Sequence, residues 1–153
     1  MGYNDNIVFA IRIIFLYGEL KNKFVYHKYT LLCGTLLNVF TAIIPDRKFI
    51  VKFENVLNME IPHLPNKTCE SIEKHLNSIR NGLAHKEQIN FFPNVNDGKI
   101  ESVEIKGKKY TIEDLEKILD FLQKAIQEYD NALYEYEKQN FTNLVQSNAN
   151  NVT

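Results

Sequence analysis

The strongest periodic pattern in the sequence lies in its C-terminal third, after Thr111. Apolar side chains recur there every three or four residues, so they fall on one face of an α-helix. Thr111 and Asp114 have the spacing of a capping box, with Asp in place of the usual Glu. We therefore predict a helix that starts at this point and runs to about residue 138. Its apolar stripe consists of Leu115, Ile118, Leu119, Leu122, Ile126, Tyr129 and Leu133.

Two helices are predicted in the first third of the chain. Residues 4–20 carry apolar side chains at helical spacing. A second helix is predicted over 24–44, and Pro45 ends it because proline cannot continue the hydrogen-bond ladder. The uncharged part of this helix, 29–44, is slightly short for a membrane span and contains Asn38. We interpret it as a buried helix, and we expect no membrane association.

A third helix is predicted over 68–84, where the apolar residues again define one face. The preceding segment, 45–68, contains several prolines and no long period, so it predicts a loop with a short helix near 50–58. After the third helix, apolar and polar residues alternate on both sides of Lys106-Gly107. This alternation predicts a small β-hairpin.

Four apolar stripes on four helices predict that the helices pack together as a bundle. The predicted fold class is all-α, a four-to-five-helix bundle with a small β-hairpin inserted before the last helix. Residues 1–140 form a single predicted domain, which suits a chain of 153 residues. Residues 141–153 form a polar tail that we expect to be flexible.

Composition narrows the classes of function. The net charge is -1, so a uniformly basic nucleic-acid binder is not indicated, although a local basic patch stays open. Cys33 and Cys69 form no CxxC pair and have no neighbours at metal-ligand spacing, so we predict no metal and no cofactor. The N-terminus lacks the features of a signal peptide, and Arg12 interrupts its apolar run. These features predict a cytoplasmic protein with reduced thiols.

An unusual polar group stands at the end of the third predicted helix. Asn77, Asn81 and His85 are four residues apart and would share one side of a helix. Arg80 lies about 100° from Asn81 around the axis. We therefore predict that these side chains point outward from a rigid helix whose opposite side is anchored in the core. Gly82 is a poor helix residue, so we expect a second helix or a phosphate backbone to approach it closely, or else a loosened helix end.

The side chains of this group suit the cleavage of RNA. Histidine can transfer a proton near neutral pH, and the guanidinium of arginine matches phosphate oxygens. The RNA 2′-OH is a built-in nucleophile. His85 to move the proton and Arg80 to stabilise charge on phosphorus would suffice without a metal. The products would be a 2′,3′-cyclic phosphate and a 5′-OH end.

The stretch "SIRNGLAHKE" (78–87) resembles the Arg-x4–6-His motif of the HEPN superfamily, in its Arg-Asn-x-x-x-His form. The resemblance implies a HEPN-like helical bundle. It further implies a metal-independent endoribonuclease of a toxin–antitoxin, abortive-infection or other antiviral defence system. Arg80 and His85 would be catalytic, and Asn81 would position them. A homodimer with a composite active site and an antitoxin or defence-system partner are also implied. One toxin branch has a modified Tyr two residues after the His, where this chain has Glu87.

Less specific interpretations of the same residues stay open. His85 can cap the helix C-terminus, and Arg80 can pair with a nearby carboxylate such as Glu73 or Glu87. The chain can also be a non-catalytic HEPN-like module that binds RNA or nucleotide, or that only dimerises. Further candidates for substrate binding are Asn77, Lys74, Lys86 and His75, although His75 fits a solvated face better. We interpret Phe91 and Phe92 as packing residues, in the core or in a dimer, rather than as residues that stack on RNA bases. Packing is also the interpretation of Tyr129, Tyr134 and Tyr136.

Overall fold

The protein is described by a computed structural model over residues 3–151, with side chains described for residues 5–149. Helices dominate the chain, and a small antiparallel sheet precedes the last helix. The helices and strands are α1 (Tyr3–Leu20), α2 (Lys28–Ile43), α3 (Cys69–Ala84), β1 (Ile89–Pro93), β2 (Ile100–Ile105), β3 (Lys108–Tyr110) and α4 (Ile112–Asn151). Short 3-10 turns occupy Val25–His27, Pro45–Arg47, Glu54–Val56 and Lys86–Gln88. No helix in the described part of the chain is long and apolar enough to cross a membrane.

The four predicted helices and the hairpin before the last of them are present, although the hairpin belongs to a three-stranded sheet. α2 is buried on most of its circumference, because its exposed residues are confined to one narrow stripe of Thr30, Gly34, Asn38 and Thr41. Its fully buried side chains include Leu32, Leu36, Val39, Phe40 and Ile43. The interpretation of this stretch as a buried helix is therefore confirmed, although α2 begins at Lys28 rather than near residue 24.

The sheet has the strand order β1-β2-β3 and packs against the bundle through β2 and β3. Lys106 and Gly107 form the predicted two-residue turn, with φ of 51° and 80°, the positive values that such hairpin turns require. Strand β1 was not predicted. It pairs Phe91 with Val103, and it leaves Phe91 and Phe92 exposed by 40% and 37%. The two phenylalanines therefore do not pack in the core, and their packing in a dimer stays a prediction.

One tyrosine joins α2 to the sheet and to the last helix. The Tyr29 hydroxyl donates a hydrogen bond to the carbonyl oxygen of Glu101 and accepts one from the backbone N–H of Ile112, the latter at 3.1 Å. Tyr29 itself is buried. The hydroxyl group of Tyr29 therefore both donates to and accepts from the backbone. These two hydrogen bonds connect α2 to β2 and to the start of α4.

α4 starts with the predicted capping box. The backbone N–H of Asp114 donates to the Thr111 hydroxyl at 3.1 Å, and the N–H of Thr111 donates to the Asp114 carboxylate at 3.0 Å. The sequence predicted an end of the helix near residue 138, but the helix continues to Asn151. All side chains of residues 134–149 are exposed. Tyr134 and Tyr136, expected to be packing residues, are exposed by 62% and 64%.

Candidate functional site

The candidate site is built on helix α3. A capping box starts this helix, with Thr68 and Ser71 exchanging side-chain to backbone hydrogen bonds at 2.8 and 3.1 Å. The predicted apolar face is confirmed, since its four members are buried. They are Ile72, Leu76, Ile79 and Leu83. The side of α3 that carries the polar group is therefore held rigidly toward solvent.

The polar side of α3 lines a cleft of about 560 Å³. This volume is within the range of ligand-binding clefts. The opposite wall comes from the end of α2 and the turn that follows it. The lining residues are Asn77, Arg80 and Asn81 from α3, and Ile44, Asp46 and Arg47 from the opposite wall.

Arg80 is held by its neighbour and has unused hydrogen-bond donors. Its Nη1 atom donates to Asn81 Oδ1 at 3.1 Å. Its Nε atom is buried and has no hydrogen-bond partner among the described residues. No carboxylate of residues 5–149 pairs with Arg80, so the predicted alternative of a surface ion pair is not realised there. A guanidinium that lines a cleft and has no carboxylate partner among these residues is suited to bind an anion such as phosphate.

His85 does not line this cleft. α3 ends at Ala84, and the backbone of His85 is extended, with φ of -117° and ψ of 104°. The expectation that Asn77, Asn81 and His85 share one helix side is therefore wrong. His85 instead occupies the C-cap position, with its side chain 59% exposed and Nδ1 at 3.7 Å from Glu87 Oε1. The structure thus brings Asn77, Arg80 and Asn81 together but leaves the histidine outside.

Gly82 is required by a neighbour within the same chain. A Cβ atom at this position would lie 2.5 Å from Ile105 Cγ2 and 3.2 Å from Lys106 Cγ. The close approach that we expected from a second helix or a phosphate backbone is made by the β2–β3 hairpin. Gly82 therefore explains how the hairpin packs on α3, and it carries no information about a dimer.

His75 is buried, with 8% of its surface exposed, so the expectation of a solvated face is wrong. Its Nε2 atom lies 3.0 Å from the carbonyl oxygen of Pro62, and because a carbonyl only accepts, Nε2 is the donor. Burial, assisted by the charge of Lys108, lowers the pKa of His75 below its ordinary value. His75 thus fixes the preceding loop to α3 and is not accessible to a substrate.

The lysines predicted to bind substrate lie outside the cleft. Lys74 forms an ion pair with Glu70 at 3.5 Å, with both side chains 79% exposed, and such a pair contributes little. Lys86 is exposed in the turn after α3. On the sheet, Lys109 Nζ lies 4.9 Å from the centre of the Phe92 ring. These cations remain available to a long polyanion, but they do not shape the site.

Two residues of the cleft were missed from the sequence, Asp46 and Arg47. They follow Pro45 in a segment where the sequence indicates only a loop. The one available signal was the scarcity of arginine, since Arg47 is one of only three arginines in the chain. Their position opposite Arg80 depends on a backbone conformation that the sequence pattern does not reveal.

The cysteines and acidic residues add no further site. Burial raises the pKa of the Cys33 thiol to about 12, so it stays protonated at neutral pH and is a poor nucleophile. Within the described residues, no group of three or more His, Cys, Asp or Glu could hold a metal ion.

No protein-family model matches the chain, and no curated protein or solved structure matches it significantly.

Proposed function

We propose that the protein is a HEPN-like, metal-independent endoribonuclease that cuts RNA by attack of the 2′-OH group. The observation that carries the proposal is the Arg80 guanidinium, which faces an open cleft and has no carboxylate partner among residues 5–149. A single-stranded or looped RNA would place its scissile phosphate on this guanidinium. The proposed products are a 2′,3′-cyclic phosphate and a 5′-OH end.

The other residues of the motif have complementary roles in this proposal. Arg80 stabilises the negative charge that develops on the phosphoryl oxygens. Asn81 orients Arg80 through the hydrogen bond between their side chains. His85 transfers a proton, and the Glu87 carboxylate at 3.7 Å favours one orientation of its ring. Asn77 contributes a further hydrogen-bonding group to the cleft wall.

Since His85 lies outside the cleft of its own chain, the proposal includes a homodimer with a composite site. His85 of one copy would reach the Arg80 cleft of the other. The proposed setting is a cytoplasmic toxin–antitoxin or antiviral defence system, with an antitoxin or another defence protein as partner.

The endoribonuclease proposal is tested by RNA cleavage in the presence of EDTA, with analysis of the product ends. Wild type should release 2′,3′-cyclic phosphate and 5′-OH ends, and Arg80→Ala and His85→Ala should not. Arg12→Ala is the matched control, because this exposed arginine lies on α1, outside the cleft. Inert wild type, or folded Arg80→Ala that cuts normally, contradicts the proposal.

The composite site has its own test, which is complementation between two inactive variants. When Arg80→Ala and His85→Ala proteins are mixed and allowed to exchange subunits, each mixed dimer regains one intact site. About a quarter of wild-type activity should return, because half of randomly mixed dimers are mixed and each has one working site of two. No recovery despite proven subunit exchange would mean that both residues act within one chain. Light scattering that shows only monomer, with and without RNA, would contradict the dimer.

The position of His85 favours a second candidate, a non-catalytic HEPN-like module that binds RNA or nucleotide. In that case the cleft would hold the phosphate, and His85 would only cap α3. Binding of RNA by wild type without cleavage, together with loss of binding in Arg80→Ala, would establish this alternative.

A further inference from the structure

The turn that follows α2 has an uncommon backbone conformation. Asp46 and Arg47 both adopt left-handed conformations, with φ of 50° and 67°. Asp tolerates this region better than most residues, but a long side chain such as that of Arg47 rarely occupies it. Strained residues of this kind persist where the surrounding structure determines them, and they cluster at functional sites.

The surroundings of the turn show what imposes this conformation. Two backbone hydrogen bonds close the segment, from Lys48 N to the carbonyl oxygen of Pro45 at 3.0 Å and from Ile50 N to that of Ile43 at 2.9 Å. Apolar residues anchor both ends in the core. They are Ile43 and Ile44 before the turn, and Phe49, Ile50 and Val51 after it. Of the four residues between these anchors, Asp46 and Arg47 are exposed and line the wall of the cleft that faces α3.

Arginine is rare in this chain but is present on both walls of the cleft. The chain contains 18 Lys and Arg in total, of which Arg12, Arg47 and Arg80 are the only arginines. Two of these three line the same cleft. Neither Arg47 nor Arg80 has an ion-pair partner among the described side chains. The guanidinium binds phosphate oxygens through a planar pair of donors, which lysine lacks.

We propose that Arg47 is a second phosphate-binding residue of the cleft. It binds a backbone phosphate of a single-stranded RNA next to the phosphate that Arg80 holds. The inference rests on the proposed function for its ligand, RNA, but it does not depend on cleavage. Arg47 would thereby fix the register of the strand, so that one chosen phosphate lies on Arg80.

The test measures binding with a strand that cannot be cut. A fluorescent single-stranded RNA with 2′-O-methyl groups lacks the nucleophile, so its anisotropy reports binding alone. Arg47→Gln should weaken binding about tenfold, the loss expected for one charge-assisted contact, and should reduce the slope of log K against log salt by about one. Arg12→Gln is the matched control, because it removes the same charge from α1, outside the cleft.

A second variant separates binding from folding. Arg47→Gly relieves the left-handed backbone, so it should unfold at a temperature at least as high as wild type while binding RNA as weakly as Arg47→Gln. Binding by either variant with wild-type affinity would overturn the inference, as would wild type that binds no RNA. A mononucleotide that competes as well as the oligonucleotide would overturn it too, because one phosphate cannot occupy neighbouring positions. Wild type that binds but never cuts would refute the endoribonuclease proposal and leave the Arg47 inference supported.

Discussion

Two sides of helix α3 carry residues that are unusual in a helix. The rest of the chain covers one of these sides and leaves the other open to solvent. His75 and Gly82 are seven residues apart, so they lie on the same side, and the chain closes over both. The Pro62 carbonyl oxygen accepts a hydrogen bond from His75, and Ile105 packs on Gly82. Arg80 and Asn81 face an open cleft instead.

The neighbours of each side distinguish structural residues from candidates for binding. On the closed side, each unusual residue has a neighbour in its own chain that accounts for it. On the open side, Arg80 lines the cleft and has no carboxylate partner among residues 5–149. Substitutions on the closed side should therefore change stability, and those on the open side should change binding or activity.

The largest effect is expected on the open side. Arg80→Ala should lower the rate of RNA cleavage roughly 10²–10³-fold, because one donor to the developing charge is lost. Its free energy of unfolding should stay within about 0.5 kcal/mol of wild type, since Arg80 forms no ion pair with residues 5–149. Single-turnover cleavage and urea denaturation measure the two quantities. A large loss of stability in Arg80→Ala would show that Arg80 has a structural role, like the residues of the closed side.

The next effect concerns Gly82. Gly82→Ala should lower the free energy of unfolding by about 1–2 kcal/mol, because the new methyl group overlaps Ile105 and this outweighs the better helix propensity of alanine. Gly34→Ala is the matched control, since nothing lies within 4 Å of a Cβ there, and it should stabilise α2 by about 0.5–1 kcal/mol. Urea denaturation of both variants decides the point. If Gly82→Ala stabilises the protein as Gly34→Ala does, the hairpin does not press on α3.

His75 should make stability depend on pH. Its pKa is lowered in the folded state, so the unfolded state binds more protons wherever the two pKa values differ. Stability should therefore decrease as the pH falls through the ordinary histidine pKa of about 6.5 toward the lower folded value. His75→Gln keeps a donor for the Pro62 carbonyl but cannot titrate, so its melting temperature should fall less than that of wild type between pH 7.5 and pH 5. Equal decreases of the melting temperature in wild type and His75→Gln would show that His75 does not cause the pH dependence of stability.

The smallest effect is expected for Asp46, the acidic residue on the cleft wall. Asp46→Asn removes a negative charge but keeps a residue that tolerates the left-handed backbone. RNA binding should become about two- to fivefold tighter, because an exposed charge contributes up to about 1 kcal/mol. Anisotropy at low and high salt measures this, and the gain should shrink at high salt. Weaker binding by Asp46→Asn would mean that the carboxylate contacts the strand directly.

The sequence predicted the parts of the fold that depend on local pattern. The apolar stripe of α4, the Thr111–Asp114 box and the Lys106-Gly107 turn each follow from residues close together in the chain. Strand β1 was missed because Phe91 and Phe92 are adjacent, which breaks the alternation of a half-buried strand, and both remain exposed. The strand depends on its pairing with β2 across a short turn, from Ile89 opposite Ile105 to Pro93 opposite Ile100, and not on an apolar pattern of its own.

The candidate site was predicted only in part for the same physical reason. Arg80, Asn81 and Asn77 are brought together by helical geometry, which spacing predicts. Arg47 reaches the cleft through a left-handed turn and through the packing of α2 on α3, and neither is visible in a local pattern. The end of α3 at Ala84 agrees with the predicted bound, but His85 was placed on the same side as Asn77 and Asn81 by applying helical spacing beyond that end, where the backbone is extended.

The long helix α4 combines two kinds of helical stability. Its first half is buried against the bundle, whereas the side chains of residues 134–149 are all exposed. An isolated helix of that length is marginal in water, so the outer half is stabilised mainly by continuing a helix that the core has already nucleated. We therefore expect its backbone amides to exchange with solvent progressively faster toward the C-terminal end, while those of the inner half open only when the whole domain unfolds.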